Sequence, residues 1–245
     1  MREPPPLVSC IVPVNNGERY LGEAIDSILR QRHRPLEIIV VDNGSSDGSA
    51  ALGESYGDPV RVIRQEDRGP PGGRNTGIRE ARGEFICMLD ADDVFTDDKL
   101  ERQLERFRSR PELHVCLAHA ENFWEPGLED EERIYRAHGK ILASHVFGTM
   151  LTVRSVFETV GLIDAARIYG DQVDWFARMA DAGVISEVLP DVLMRRRMHR
   201  ASLSHNAPDL DDYVDLVKAR LDRRRRDGPQ SDRGGVGRAQ PGLDV

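Results

Sequence analysis

The sequence predicts an α/β protein: a single compact domain on a Rossmann-like, mostly parallel central sheet flanked by helices. Three observations carry this. Short apolar runs of strand length alternate with stretches of helical periodicity, which implies parallel strands joined by crossover helices. The 245 residues suffice for one full core and a tail. The composition, 39% hydrophobic and 31% charged, is that of a soluble globular protein.

The elements follow in order. Val8–Val14 is a short apolar run that ends in Asn15-Asn16-Gly17, a buried strand and its turn. Leu21, Ala24, Ile25, Ile28 and Leu29 then recur at helical spacing. Further strands are expected at 37–41, 60–63 and 85–89, separated by helices at about 47–56 and 74–82. A helix over 97–109 ends before Pro111. A strand over 115–120 follows, then an acidic stretch, 121–140, that reads as irregular. Helices are expected at 155–160 and 171–182, and two strands at 184–189 and 192–197. Leu210, Tyr213, Val214, Val217 and Leu221 share one face of a helix at 209–226. From Asp227 the chain is rich in Gly, Pro and Arg, the composition of a disordered tail.

Composition also excludes. A net charge of -8 argues against a general nucleic-acid binder, which needs basic surface to meet phosphates. Cys10, Cys87 and Cys116 are too few and too scattered for a disulfide framework or a metal-ligand motif. They read as small buried residues in a reducing cytoplasm. No apolar run reaches the roughly 20 residues that span a bilayer. Arg223–Arg226 close the last helix; contact with anionic lipid at the inner membrane face is one reading, a solvated helix end the other.

Ligands of open α/β sheets bind at the carboxyl ends of the strands, and three polar clusters fall there. Pro13-Val14-Asn15-Asn16 is the first. Asp42-Asn43-Gly44-Ser45-Ser46-Asp47 is the second; it reads as a turn and cap, or as a pocket for a base and ribose. Asp90-Ala91-Asp92-Asp93 is the third. Three carboxylates in four residues repel unless a cation joins them. Hard oxygen ligands suit Mg²⁺ or Mn²⁺, with phosphate completing the shell. The competing reading is a cap for the next helix. Gly69-Pro70-Pro71-Gly72-Gly73-Arg74-Asn75 reads as a loop entering a helix, a cradle that brings Arg74 to an anion or an ordinary loop. It has neither the Walker A nor the dinucleotide glycine pattern.

Together these stretches resemble the inverting GT-A glycosyltransferases of family 2. The resemblance runs from Val8–Asn16 through Glu37–Asp47, Arg74-Asn75-Thr76-Gly77, Ala81–Phe85 and Leu89–Asp93. It continues more loosely through Gly148–Arg154, Phe157–Asp164, Gly170–Arg178 and His199-Arg200-Ala201-Ser202. It implies a nucleotide-sugar-binding half at 1–115 and an acceptor-binding, catalytic half at 116–207; the resemblance covers about 7–206, and the helix at 208–226 and the tail at 227–245 lie outside it.

The resemblance also implies roles. Pro13, Val14, Asn15, Asp42, Asn43, Arg74, Asp90, Ala91 and Asp92 would meet the nucleotide of a UDP-, dTDP- or GDP-linked sugar. Asp92, Asp93 and His199 would hold Mg²⁺ or Mn²⁺. A carboxylate at 171–174 would deprotonate the hydroxyl of a glycan, lipid-linked or small-molecule acceptor. Two departures matter. Many members carry Asp-Asp where this chain has Asp42-Asn43. Many carry Glu-Asp where it has Asp171-Gln172, so Asp171 or Asp174 must serve as base, with Asp171 preferred. Trp175 reads as core or as a platform for the acceptor, and His199 as a ligand or a structural histidine. A sugar nucleotidyltransferase and an inactive nucleotide-sugar-binding module are the alternatives.

Overall fold

The computed structural model describes residues 4–137, 144–167 and 170–202. These lie in the first of two compact units, Met1–Ala207. The expected helix at 208–226, its Arg223–Arg226 end and the tail from 227 lie outside the described residues. Among the described residues, no helix is long and apolar enough to cross a membrane.

The first half alternates as expected: β1 (Val8–Val14), α1 (Glu18–Leu29), β2 (Leu36–Asn43), α2 (Ser49–Ser55), β3 (Val60–Gln65), α3 (Gly69–Glu80) and β4 (Phe85–Met88). The two residues of β5 (Val94–Phe95) precede α4 (Lys99–Ser109) and β6 (Val115–Trp124). After α5 (Glu129–Ala137) come a 3₁₀ turn at Phe147–Thr149, β7 (Leu151–Val153), α6 (Val156–Val160), α7 (Asp171–Asp181) and β8 (Ser186–Met198). One sheet of eight strands runs in the order β3-β2-β1-β4-β7-β6-β8-β5. β3, β2, β1 and β4 are parallel, as are β6 and β8; β7 and β5 run against their neighbours.

Every residue of β1 is buried, as a parallel strand covered on both faces requires. One core layer packs Leu21, Ala24, Ile25 and Ile28 of α1 and Leu100, Leu104 and Phe107 of α4 on one side of the sheet. The other holds Ile78 of α3, Val156, Phe157 and Val160 of α6, and Trp175, Phe176 and Met179 of α7. α3 lies so close to β1 that a Cβ at Gly77 would stand 2.2 Å from Ile11 Cγ2.

Three sequence expectations change. Residues 69–73 are the opening turns of α3, not a loop. Prolines fit there because the first helical turn leaves its N–H groups without intrahelical partners. The acidic stretch is ordered in part: β6 continues to Trp124, and Glu129, Asp130, Glu131 and Glu132 form the first turn of α5, where negative charge meets the positive end of the helix dipole. The two late strands are one, β8. Its register jumps from Leu117↔Val188 to His119↔Val192, so the irregular step takes up Pro190, which has no N–H for the ladder.

Candidate functional site

The ends of β1 and β2 are laced together. Asn15 Nδ2 donates to Asn43 O (2.7 Å), and Asn16 Oδ1 accepts from the Ser46 N–H (2.8 Å). Pro13 and Val14 are buried just before this turn. Asp42 Oδ1 accepts from the Ser45 N–H. Asn43 has its whole amide committed: Nδ2 donates to Asp67 Oδ1 and Gly69 O, and Oδ1 accepts from Gln65 Nε2 and the Arg68 N–H. That uses both donors and both lone pairs. Asn43 therefore organises the entry to α3. Asp67, which the sequence reading missed, accepts from both Asn43 and the Gly69 N–H.

The acidic segment after β4 sends its three carboxylates to three partners. Asp90 Oδ1 accepts from Arg74 Nη2 at 2.6 Å. Asp92 Oδ2 meets His199 Nε2 at 2.9 Å. Asp93, 3% exposed, accepts the Arg197 N–H on Oδ1 at 2.9 Å. Burial first, then the charges of Asp92 and Asp90, hold the Asp93 carboxyl well above the ordinary carboxylate range. None of the three caps α4, whose cap position is Asp98, so that reading falls. Arg197 closes the segment: Nε donates to Asp92 O, Nη2 pairs with Glu23, and the guanidinium lies 4.9 Å from the Tyr20 ring and 4.5 Å from that of Phe123. Tyr20 also packs 4.7 Å from the His199 ring. Ala91 packs against the core between the carboxylates.

Arg74 joins this segment to α7. Its Nη1 donates to Asp171 Oδ2 at 3.0 Å, so one buried guanidinium serves carboxylates from both halves of the chain. Its face lies 5.3 Å from the Phe147 ring, and its Nε has no hydrogen-bond partner among the described residues. Asp171 is 5% exposed; burial raises its carboxyl and Arg74 opposes that rise. The two candidate bases differ in partner. Asp174 Oδ2 accepts from Arg178 Nε, and Arg178 also donates to Val160 O and Leu162 O, tying α7 to the end of α6. Gln172 Oε1 accepts the Phe147 N–H at 2.8 Å. Trp175 is fully buried with Nε1 donating to Gly161 O, so it is core and not an acceptor platform.

Residues 9–174 match the model of glycosyl transferase family 2. The chain belongs to that family. An uncharacterized glycosyltransferase of Rickettsia prowazekii is 31% identical over 225 residues, 86% of this chain and 70% of the relative. An uncharacterized glycosyltransferase of Bacillus subtilis, EpsJ, is 43% identical over 41% of this chain and 30% of its own length. Among solved structures, Staphylococcus aureus TarS 1–349 in complex with UDP-GlcNAc superposes with a TM-score of 0.66 at 19% identity, over 82% of this chain and 61% of that one. The Pyrobaculum calidifontis mannosyltransferase PcManGT, in complex with GDP-Man and Mn²⁺, gives 0.61 at 24%, over 82% and 59%. These two likenesses are of fold, and the chain spans about three fifths of each structure.

In this family 2 member the expected site residues fall into three groups. Asp90, Arg74 and Asp171 form one ion-paired chain. Asp92 and His199 meet directly, with Asp93 beside them in the chain and bonded to Arg197. Asn15, Asp42 and Asn43 form the turn at the ends of β1 and β2. Asp174 stands apart on Arg178. Among the described residues no three His, Cys, Asp or Glu side chains form a ready metal cage. Sequence reasoning also missed Tyr20 and Phe147. Their one signal was an aromatic residue placed beside a motif, which a core position gives equally.

Proposed function

We propose that this chain transfers a sugar from a nucleoside-diphosphate donor to an acceptor hydroxyl in one displacement, with inversion. The observation that carries the reading is the Asp90–Arg74–Asp171 chain, which brings a carboxylate of α7 to the acidic segment after β4. A UDP-, dTDP- or GDP-linked sugar is the donor class; the solved relatives hold UDP-GlcNAc and GDP-Man. The acceptor is a glycan, a lipid-linked precursor or a small molecule. The cytoplasm is the proposed place, at or near the inner membrane face.

Asp171 is the proposed base, because its arginine, Arg74, also reaches Asp90 of the acidic segment, whereas the arginine of Asp174, Arg178, binds the end of α6, and Gln172 cannot take a proton. Arg74 favours the ionised form of Asp171, which is the form that accepts the proton. The acceptor oxygen attacks the anomeric carbon, its proton passes to Asp171, and the electron pair of the breaking C–O bond leaves with the diphosphate. Asp92 and His199 are the two side chains that would hold Mg²⁺ or Mn²⁺, with Asp93 beside them as a third candidate, seated on the Arg197 N–H. Two or three protein ligands fit a hard cation that takes its remaining ligands from phosphate and water. Bound there, the cation would neutralise charge on the leaving diphosphate.

The test is incubation with Mn²⁺ and a panel of nucleotide sugars, following nucleoside diphosphate release and heat of binding. Turnover in wild type, with Asp171→Asn binding donor but transferring nothing, is the expected result. Full transfer by Asp171→Asn would remove it as the base. A second reading, a module that binds donor without turnover, is favoured by one observation: Gln172 occupies the position where many relatives carry a carboxylate, and its Oε1 is taken by the Phe147 N–H. Binding without release of diphosphate in wild type would select it.

A further inference from the structure

Lys99 is one of three lysines in the chain and is fully buried at the start of α4. Among the described residues no carboxylate pairs with it. Its Nζ donates to Gln103 Oε1 at 2.5 Å and lies 3.4 Å from both Thr149 O and Met150 O. The Phe95 ring is 4.7 Å away, and the ionisable groups that face it are the thiols of Cys10, Cys87 and Cys116. Three oxygens match the three N–H groups of an ammonium. An ammonium without a counter-ion in a core is costly all the same, and an apolar side chain of similar length would fill the space at lower cost.

The carbonyls it holds give the reason. Thr149 and Met150 end the short turn that begins at Phe147. Gln103 Nε2 adds a second hold on Thr149 O at 2.9 Å and ties it to Cys116 O of β6 at 2.8 Å. At the other end of the turn, the Phe147 N–H is bound by Gln172, and the ring lies 5.3 Å from the Arg74 guanidinium and 5.8 Å from Trp175. α4 begins six residues after Asp93. One unbroken path of contacts therefore runs from the helix after the acidic segment, through the turn, to the Arg74–Asp171 pair.

We propose that Lys99 is a positioning residue: by holding the carbonyls of Thr149 and Met150 it sets the Phe147 turn, and through it the placement of Arg74 and Asp171. The effect on transfer rests on the proposed function; the effect on the turn does not. The test uses Lys99→Met, which keeps length and removes the donors, in a Trp124→Phe background where Trp175 is the one remaining tryptophan.

The expected result is an unchanged far-UV spectrum, an altered Trp175 near-UV signal and an unchanged donor KM. kcat should fall by roughly tenfold to a hundredfold, the cost of a small misplacement of reacting groups. An unchanged Trp175 signal together with unchanged kcat would overturn the proposal. Should Lys99→Met fail to fold, Phe147→Leu takes its place, removing the ring at the far end of the path; the same kcat loss at constant KM is expected, and unchanged kcat overturns the proposal. If wild type transfers no sugar, the functional reading fails by itself, and the Trp175 signal still decides the role of Lys99.

Discussion

At the scale of single residues, Arg74 sets the terms. It is 4% exposed and divides one positive charge between Asp171, itself buried, and the half-exposed Asp90. Removing one partner of a buried pair strands the other charge, so Arg74→Met should lower unfolding free energy by about 3–5 kcal/mol in urea titrations. Adding Asp171→Asn should recover part of that loss, because the stranded charge goes with it. Burial raises the Asp171 pKa above 3.8. The ionised form is therefore the costlier one in the folded protein: whatever stability Asp171 contributes is present at acid pH and is lost as pH rises through its folded value. As a base it must be ionised, so the acid limb of the kcat/KM profile should lie above the ordinary carboxylate range; a limb at or below 3.8 would point to another group. Arg74 and Asp171 were both legible in the sequence as site residues. Their pairing across 97 positions was not, since residue type shows what a side chain can bond and not what it finds. Asn43 makes the same point: its amide suited a ligand, and the fold spends all of it on residues 65–69.

At the scale of elements, α3 places Arg74 by backbone proximity. A Cβ at Gly77 would come within 2.2 Å of Ile11 Cγ2, which leaves no room for a methyl group. Alanine would gain helix propensity of about 1 kcal/mol but meet overpacking of about 1–3 kcal/mol. Gly77→Ala should thus be neutral to destabilising in urea and should lower kcat through the Arg74–Asp171 pair, one turn away; a stabilised variant with unchanged kcat would show that α3 can move off β1. β1 and β2 were legible as continuous apolar runs of strand length, and α1 and α4 by helical periodicity, because in each the burial follows the sequence pattern. β5 and β7 were not: two or three residues carry no period. α3 was hidden by glycine and proline in its opening turns, and β8 was split by Pro190, whose irregular step is visible only beside β6.

At the scale of the whole molecule, the core layer beneath α1 and α4 keeps all three thiols out of solvent, and burial pushes the Cys116 thiol up to about 11. Thiol labelling should therefore be silent in the native protein and complete in urea, with rates that track global opening; rapid labelling of any one cysteine under native conditions would reveal local opening of its strand. The sheet order carries a different consequence. β5, which follows the acidic segment at once, pairs with β8, the last strand in the described chain, and the N–H that seats Asp93 belongs to a residue 104 positions later. During synthesis the half proposed to face the nucleotide can fold early, since β1 to β4 are consecutive and mutually paired. Its acidic segment then lacks the Arg197 contacts to Asp93 and Asp92 until β8 has emerged. The proposed cation site therefore has a built-in order of assembly: its early-made carboxylates find their partners at residues 197 and 199 only after the strand that completes the other half has been made.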